Sequence, residues 1–312
     1  MAQETIEQTF SVSTPARLTL SNVRGSVTIR AAQDGEQAGN TVHVKAVKHL
    51  DNGDPDSTRL EITQPAGNTV SVLTRYNEGG WPFFSFLGSQ RPCKVDYEVS
   101  VPHACSVGLE CVSSSAALHG LDGEFQLKTV SGALTLQELS GRLQLKTVSG
   151  DITAEGLAGA LSLDTVSGQA HFSRSNLPAI DVSSISGDVW AHTPLGDGPY
   201  RFKSVSGNVE LRVPGDTRCT LEAHRISGRL ATDLPGTGRS AAPGQETLDV
   251  QGGGQRVQLN TIAGDLRLLL AEGERAPQPA PSPGASGSRA VLERIERGEL
   301  TVEEGLAELR RA

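Results

Sequence analysis

Aromatic residues are scarce in this chain, at 4% of 312 positions, and there is one methionine. That excludes a core built on large rings and points to small aliphatic side chains in thin layers. Cys93, Cys105, Cys111 and Cys219 stand 12, 6 and 108 residues apart, too few and too irregular for a disulfide framework or a common zinc pattern. Free thiols are therefore expected. No apolar run approaches the ~18 residues of a membrane-spanning helix. Cationic excess is missing too: 28 Lys and Arg against 36 Asp and Glu give a net charge of -8. This argues against sequence-independent nucleic-acid binding, which draws its affinity from cations on phosphates. Met1-Ala2-Gln3-Glu4-Thr5 has no basic character and no apolar segment follows it, so the expected location is cytoplasmic, with association at a membrane surface as the alternative. The seven histidines, at 43, 49, 103, 119, 171, 192 and 224, show no ligand spacing. No phosphate loop, nucleophile elbow or Cys/His nucleophile arrangement occurs, so no catalytic residue, metal or cofactor is assigned.

Glycine, at 35 residues, is abundant, and it is periodic. Leu127-Lys128-Thr129-Val130-Ser131-Gly132 returns as Leu145 to Gly150 and again, with Asp164 for Lys, as Leu163 to Gly168, at a step of 18 residues. The glycine column continues through Gly187, Gly207, Gly228 and Gly264, with Ser114 one step before it. A fixed period in this range marks a stacked repeat fold. Two residues before each glycine lie Val130, Val148, Val166, Ile185, Val205, Ile226 and Ile262. Two residues after it lie Leu134, Ile152, Ala170, Val189, Val209, Leu230 and Leu266, and five before it Leu127, Leu145, Leu163, Val182, Phe202, Ala223 and Leu259. All of these columns are expected in the core. Leu139-Ser140-Gly141 repeats Val130-Ser131-Gly132 nine residues on, so each coil has two similar sides. Gln137-Glu138 and Lys146-Thr147 break the alternation and are read as corners, with the serine before each glycine facing out.

The same pattern occurs early, as Leu18-x-Leu20-x-x-Val23-x-Gly25-x-Val27-x-Ile29, so the fold is expected to begin at this end. Thr41 to Val47 and Val95 to Val101 alternate as half-buried strands do, with further strands at Arg59 to Thr63 and Thr69 to Arg75. After Gly228 the period fails, and an irregular coil is expected to end in a last strand at Asp265 to Leu270. The expected domains are irregular N-terminal β coils over 1–105, a regular β-solenoid over 106–270, a disordered Pro/Ala/Gly/Ser-rich linker over 271–288 and a helical hairpin over 289–312. The hairpin rests on the apolar stripes Val291, Leu292, Ile295 and Val302, Leu306, Leu309, separated by Gly298 and a Thr301/Glu304 capping box. The fold class is all-β: a β-solenoid of ~18-residue coils with a short C-terminal helical hairpin on a flexible linker.

The phrases Val148-Ser149-Gly150-Asp151-Ile152 and Ile185-Ser186-Gly187-Asp188-Val189, after Tyr97-Glu98-Val99-Ser100-Val101-Pro102, resemble a large bacterial β-strand-repeat family of unknown function. Its members are often provisionally labelled adhesins. The resemblance covers roughly residues 5–270. It implies a right-handed β-helix-like fold and a non-enzymatic role at or near the membrane, with some members linked to envelope stress. Val291 to Gly305 resembles short helical hairpins that accompany this family, which implies oligomerisation or partner docking.

Three sets of candidate residues remain. Asp151, Gln169, Asp188 and Asn208 follow successive glycines, and stacked carboxylates of this kind can bind Ca²⁺ or act as acid and base on sugars; a solvated ladder is the simpler reading. Lys128, Lys146 and Lys203 share a column broken by Asp164 and read as an anti-aggregation edge, with a cationic, anion-binding stripe as the alternative. Trp81, Phe83, Phe84 and Phe86 form either a folded-back cap or a contact patch for a protein or membrane. The leading function is a non-catalytic scaffold or interaction protein with a protein partner or self-association. A membrane-peripheral or surface adhesin-like module follows, and a carbohydrate-active β-helix enzyme comes last.

Overall fold

The computed structural model describes residues 2–32, 40–76, 91–242 and 244–271, and among these every regular element is a strand. The hairpin residues Val291, Leu292, Ile295, Val302, Leu306 and Leu309 lie outside the described residues, as do Trp81, Phe83, Phe84, Phe86 and the linker beyond Ala271.

Strict alternation of aliphatic and polar residues makes each segment a strand with one dry face. β8 (Asp122–Ser131), β10 (Ser140–Thr147) and β12 (Ala158–Thr165) stack in parallel as the long side of the coils. β9 (Leu134–Gln137), β11 (Ile152–Glu155) and β13 (Ala170–Ser173) stack as the short side. Leu145 lies beside Leu127 and Leu163, and Ile152 beside Leu134 and Ala170, so an 18-residue step is one coil. Both columns are buried and form the core, widened by Phe125, Phe172 and Phe202. The stack continues through β14 (Asn176–Ser184) and β16 (Tyr200–Ser204) on one side and β15 (Val189–His192) and β17 (Val209–Val213) on the other.

β2 (Ala16–Ala31) runs parallel to β7 (Cys105–His119), with Leu20 beside Leu109 and Gly25 beside Ser114, so the early copy of the pattern is a true coil. Past β2 the stack divides. β5 (Thr69–Tyr76) joins its first half and carries β4 (Thr58–Ala66). β6 (Lys94–Val101) joins its second half and carries β3 (Thr41–His49) and β1 (Gln3–Ser11).

At the other end, order along the stack departs from order along the chain. β22 (Gln255–Ala263) lies between β16 and β18 (Cys219–Ser227), and β23 (Leu266–Leu270) between β17 and β19 (Leu230–Thr232). The segment expected as the final coil is therefore an inner one. The chain reaches it through β20 (Gly236–Ala242) and β21 (Gln245–Val250); β21 pairs antiparallel with β18 and β20 antiparallel with β21.

One corner corrects the sequence reading. Lys146 and Thr147 lie within β10, and the chain turns at Val148-Ser149. Val130, Val148, Val166, Ile185, Val205, Ile226 and Ile262, expected in the core, are 41–82% exposed. Alternation carries on past Leu145, so Thr147 points inward. Its hydroxyl accepts from the Gly150 amide at 3.0 Å, which satisfies both groups inside and leaves the next residue outside. Ser184 with Gly187 and Ser204 with Gly207 repeat this at 3.0 and 2.9 Å. The opposite corner, at Gln137-Glu138, falls where the spacing puts it and buries Leu139.

Candidate interaction surface

The turn at each Val-Ser-Gly builds a ladder. The strand registers place Val112 beside Val130, and then Val148, Val166, Ile185, Val205, Ile262 and Ile226 on successive coils. Val23 of β2 precedes Val112. Every rung is β-branched, hence stiff at χ1, and rungs repeat at ~4.8 Å, the spacing of paired strands. Among the described residues, the exposed large hydrophobic side chains all belong to this one column. A contiguous apolar strip of this kind marks a contact surface rather than scattered surface aliphatics.

Beside the ladder runs an open groove of about 570 Å³. Thr129, Thr147, Thr165 and Ser184 form its floor and Glu110, Lys128, Lys146 and Asp164 its far wall. A second hollow of about 430 Å³ lies between the same columns farther along, at Lys203, Ser204, Thr261 and Ile262. The wall is salt-bridged: Lys128 to Glu110 at 2.8 Å and Lys146 to Asp164 at 3.2 Å. The lysine column is thus a wall of mixed charge rather than a cationic stripe.

The carboxylate column holds coils together. Asp151 accepts from the Gln169 amide at 2.9 Å and Asp188 from the Asn208 amide at 2.7 Å; Asn208 in turn accepts from the Asp265 amide at 2.9 Å. The serines before the glycines do face outward, as expected, but bond across coils: Ser149 donates to the Val130 carbonyl and Ser167 to the Val148 carbonyl, both at 3.2 Å. Among the described residues no group of three or more His, Cys, Asp or Glu is placed to hold a metal ion. All four cysteines are free and buried. Burial pushes the Cys105 and Cys111 thiols up to about 12 and that of Cys219 to about 11, so they stay protonated and unreactive. Among the described residues no helix is long and apolar enough to cross a membrane.

Sequence reasoning placed the ladder residues in the wrong environment. The signal that locates them is parity: Leu145 and Thr147 share a face, and Val148 does not.

Residues 16–269 match the family model described as Toastrack DUF4097. No curated protein matches the chain. Among solved structures, it is similar to a Bacteroides fragilis protein provisionally described as an adhesin (11% identity, 86% of this chain and 97% of that one, TM-score 0.41). A Parabacteroides distasonis protein with the same provisional description gives 12% identity, the same coverages and a TM-score of 0.39. A second protein from that organism, provisionally described as lipid-binding, gives 10% identity, again the same coverages, and 0.36.

Proposed function

The chain belongs to the Toastrack DUF4097 family, and on that premise we propose that it is a non-catalytic β-solenoid scaffold that binds a protein partner along the corner ladder. One observation carries this: the exposed large aliphatic side chains of the described residues are gathered in a single column beside a groove. Covering such a strip gains about 25 cal/mol for each Å² removed from water. The polar columns support binding rather than bond-breaking, because Asp151 and Asp188 each give an oxygen to the amide of the next coil. The test is affinity capture from native cells with the full chain and its Val148→Asp/Val166→Asp variant. A partner retained by the first and lost by the second is expected; identical capture by both overturns the ladder as the contact surface.

We assign further contacts to Trp81, Phe83, Phe84 and Phe86, and self-association or docking to Val291, Leu292, Ile295, Val302, Leu306 and Leu309, on their apolar patterning in the sequence. Removing 289–312 and measuring mass in solution tests the tail; an unchanged mass eliminates its role in self-association. A place in an envelope stress response follows from the family resemblance alone. The second reading, a membrane-peripheral or adhesin-like module, rests on the aromatic cluster at 81–86. It predicts liposome binding that is lost when those four aromatics become serine.

A further inference from the structure

We infer that the partner on the ladder is a second copy of this chain, paired antiparallel about a two-fold axis that crosses the ladder between Val148 and Val166. The inference rests on the ladder being a contact surface and adds what covers it.

The first observation is the repeat distance. Rungs recur at ~4.8 Å over nine coils, so the strip is about 40 Å long. An extended peptide laid along it presents same-face side chains about 6.5–7 Å apart, and a helix one turn every ~5.4 Å. Both slip out of register within a few rungs. A second ladder of the same chain keeps its register over the whole length. A two-fold axis lying across the ladder sets column against the same column, reversed. Val148 then meets the second copy's Val166, and Val130 its Ile185.

The second observation is the order of charges on the groove wall. Strand registers give the sequence Glu110, Lys128, Lys146, Asp164, Ser183, Lys203 from coil to coil. Reversed about the point between Lys146 and Asp164, it is complementary to itself. Lys146 faces the second copy's Asp164, Lys128 its Ser183 and Glu110 its Lys203. Each opposite-charge pair occurs twice by symmetry, and no like charges meet along these rungs. Moving the axis half a coil sets Asp164 against Asp164 or Lys146 against Lys146. Like-charge juxtaposition of this kind disfavours a register strongly. The register that matches the charges also falls within the ladder, with four rungs on one side of the axis, of which Val23 and Val112 are half-buried, and five exposed rungs on the other.

The test is sedimentation velocity of the full chain over a range of concentrations. Wild type is expected to dimerise, and Val148→Asp/Val166→Asp to weaken the dimer at least ~tenfold; at a concentration where both are monomeric their thermal midpoints should agree, since both positions are exposed. Lys146→Asp alone should also weaken it, and Lys146→Asp with Asp164→Lys should restore it, because the exchange recreates the pairs across the axis. A monomer at roughly 100 µM, or a dimer indifferent to Val148→Asp/Val166→Asp, overturns the inference. So does failure of the exchange to restore pairing. If the wild type is monomeric but variant-sensitive capture of another protein persists, self-pairing falls and the docking role stands. If capture is indifferent as well, both fall.

Discussion

The Thr147 hydroxyl accepts a hydrogen bond from the Gly150 amide at 3.0 Å, and both groups are buried. The rung below lacks this bond: the Thr129 hydroxyl is buried with no hydrogen-bond partner. Opposite outcomes follow for one substitution at two equivalent positions. Thr147→Val strands the Gly150 amide and should cost about 1–2 kcal/mol. Thr129→Val removes an unsatisfied hydroxyl and should be neutral or stabilising. Urea midpoints of the two variants give the comparison, and equal losses would contradict the corner bond as the source.

Gly150 is not among the positive-φ glycines, yet an added Cβ would run into the Gly132 carbonyl of the previous coil. Close stacking, not a left-handed turn, is what this position requires. Gly150→Ala must push two coils apart and should destabilise by roughly 1–3 kcal/mol. Gly67→Ala meets nothing within 4 Å and serves as the control, with no loss in thermal midpoint expected.

Val148 and Leu145 look alike in the sequence and stand on opposite sides of the wall. Leu145 is 1% exposed and Val148 46%. Leu145→Ala should cost about 2–5 kcal/mol, and Val148→Ser less than about 0.5 kcal/mol, both by chemical denaturation at a concentration where the chain is monomeric. A large loss from Val148→Ser would return the ladder to the core.

This pair also shows what the sequence carries and what it hides. The 18-residue step, the Leu145 and Ile152 columns and the N-terminal coil around Gly25 were legible, because parallel stacking forces like residues into one register. Polarity alone misplaced the corner. Valine is the more apolar of Thr147 and Val148, but the threonine has a partner inside and strand parity keeps it there. The insertion of β22 and β23 between earlier coils was hidden for a different reason. Gly264 and Gly228 belong to one column whichever coil comes first, so the repeat pattern is blind to their order in space.

The N-terminal end should respond to acid through Asp96. Its carboxylate joins three strands: it accepts from the Ser26 amide and hydroxyl on β2 at 2.9 and 2.7 Å, and meets His49 of β3 at 2.7 Å and Lys94 of β6 at 3.0 Å. Partial burial pushes its pKa up, but the bonds from Ser26, Lys94 and His49 together outweigh that and hold it below the ordinary carboxylate value. The folded value therefore lies below the unfolded one of about 3.9. The stabilisation is complete above that pH and is lost as pH falls through the folded value, where protonation breaks the bonds that join β2, β3 and β6. Wild type should lose stability as pH drops below about 4. Asp96→Asn should be less stable at neutral pH and lose less over the acid window, so the two thermal midpoints converge on acidification. Midpoints measured from pH 7 down to about 3 decide it, and a constant gap between the two proteins would remove Asp96 as the titrating link.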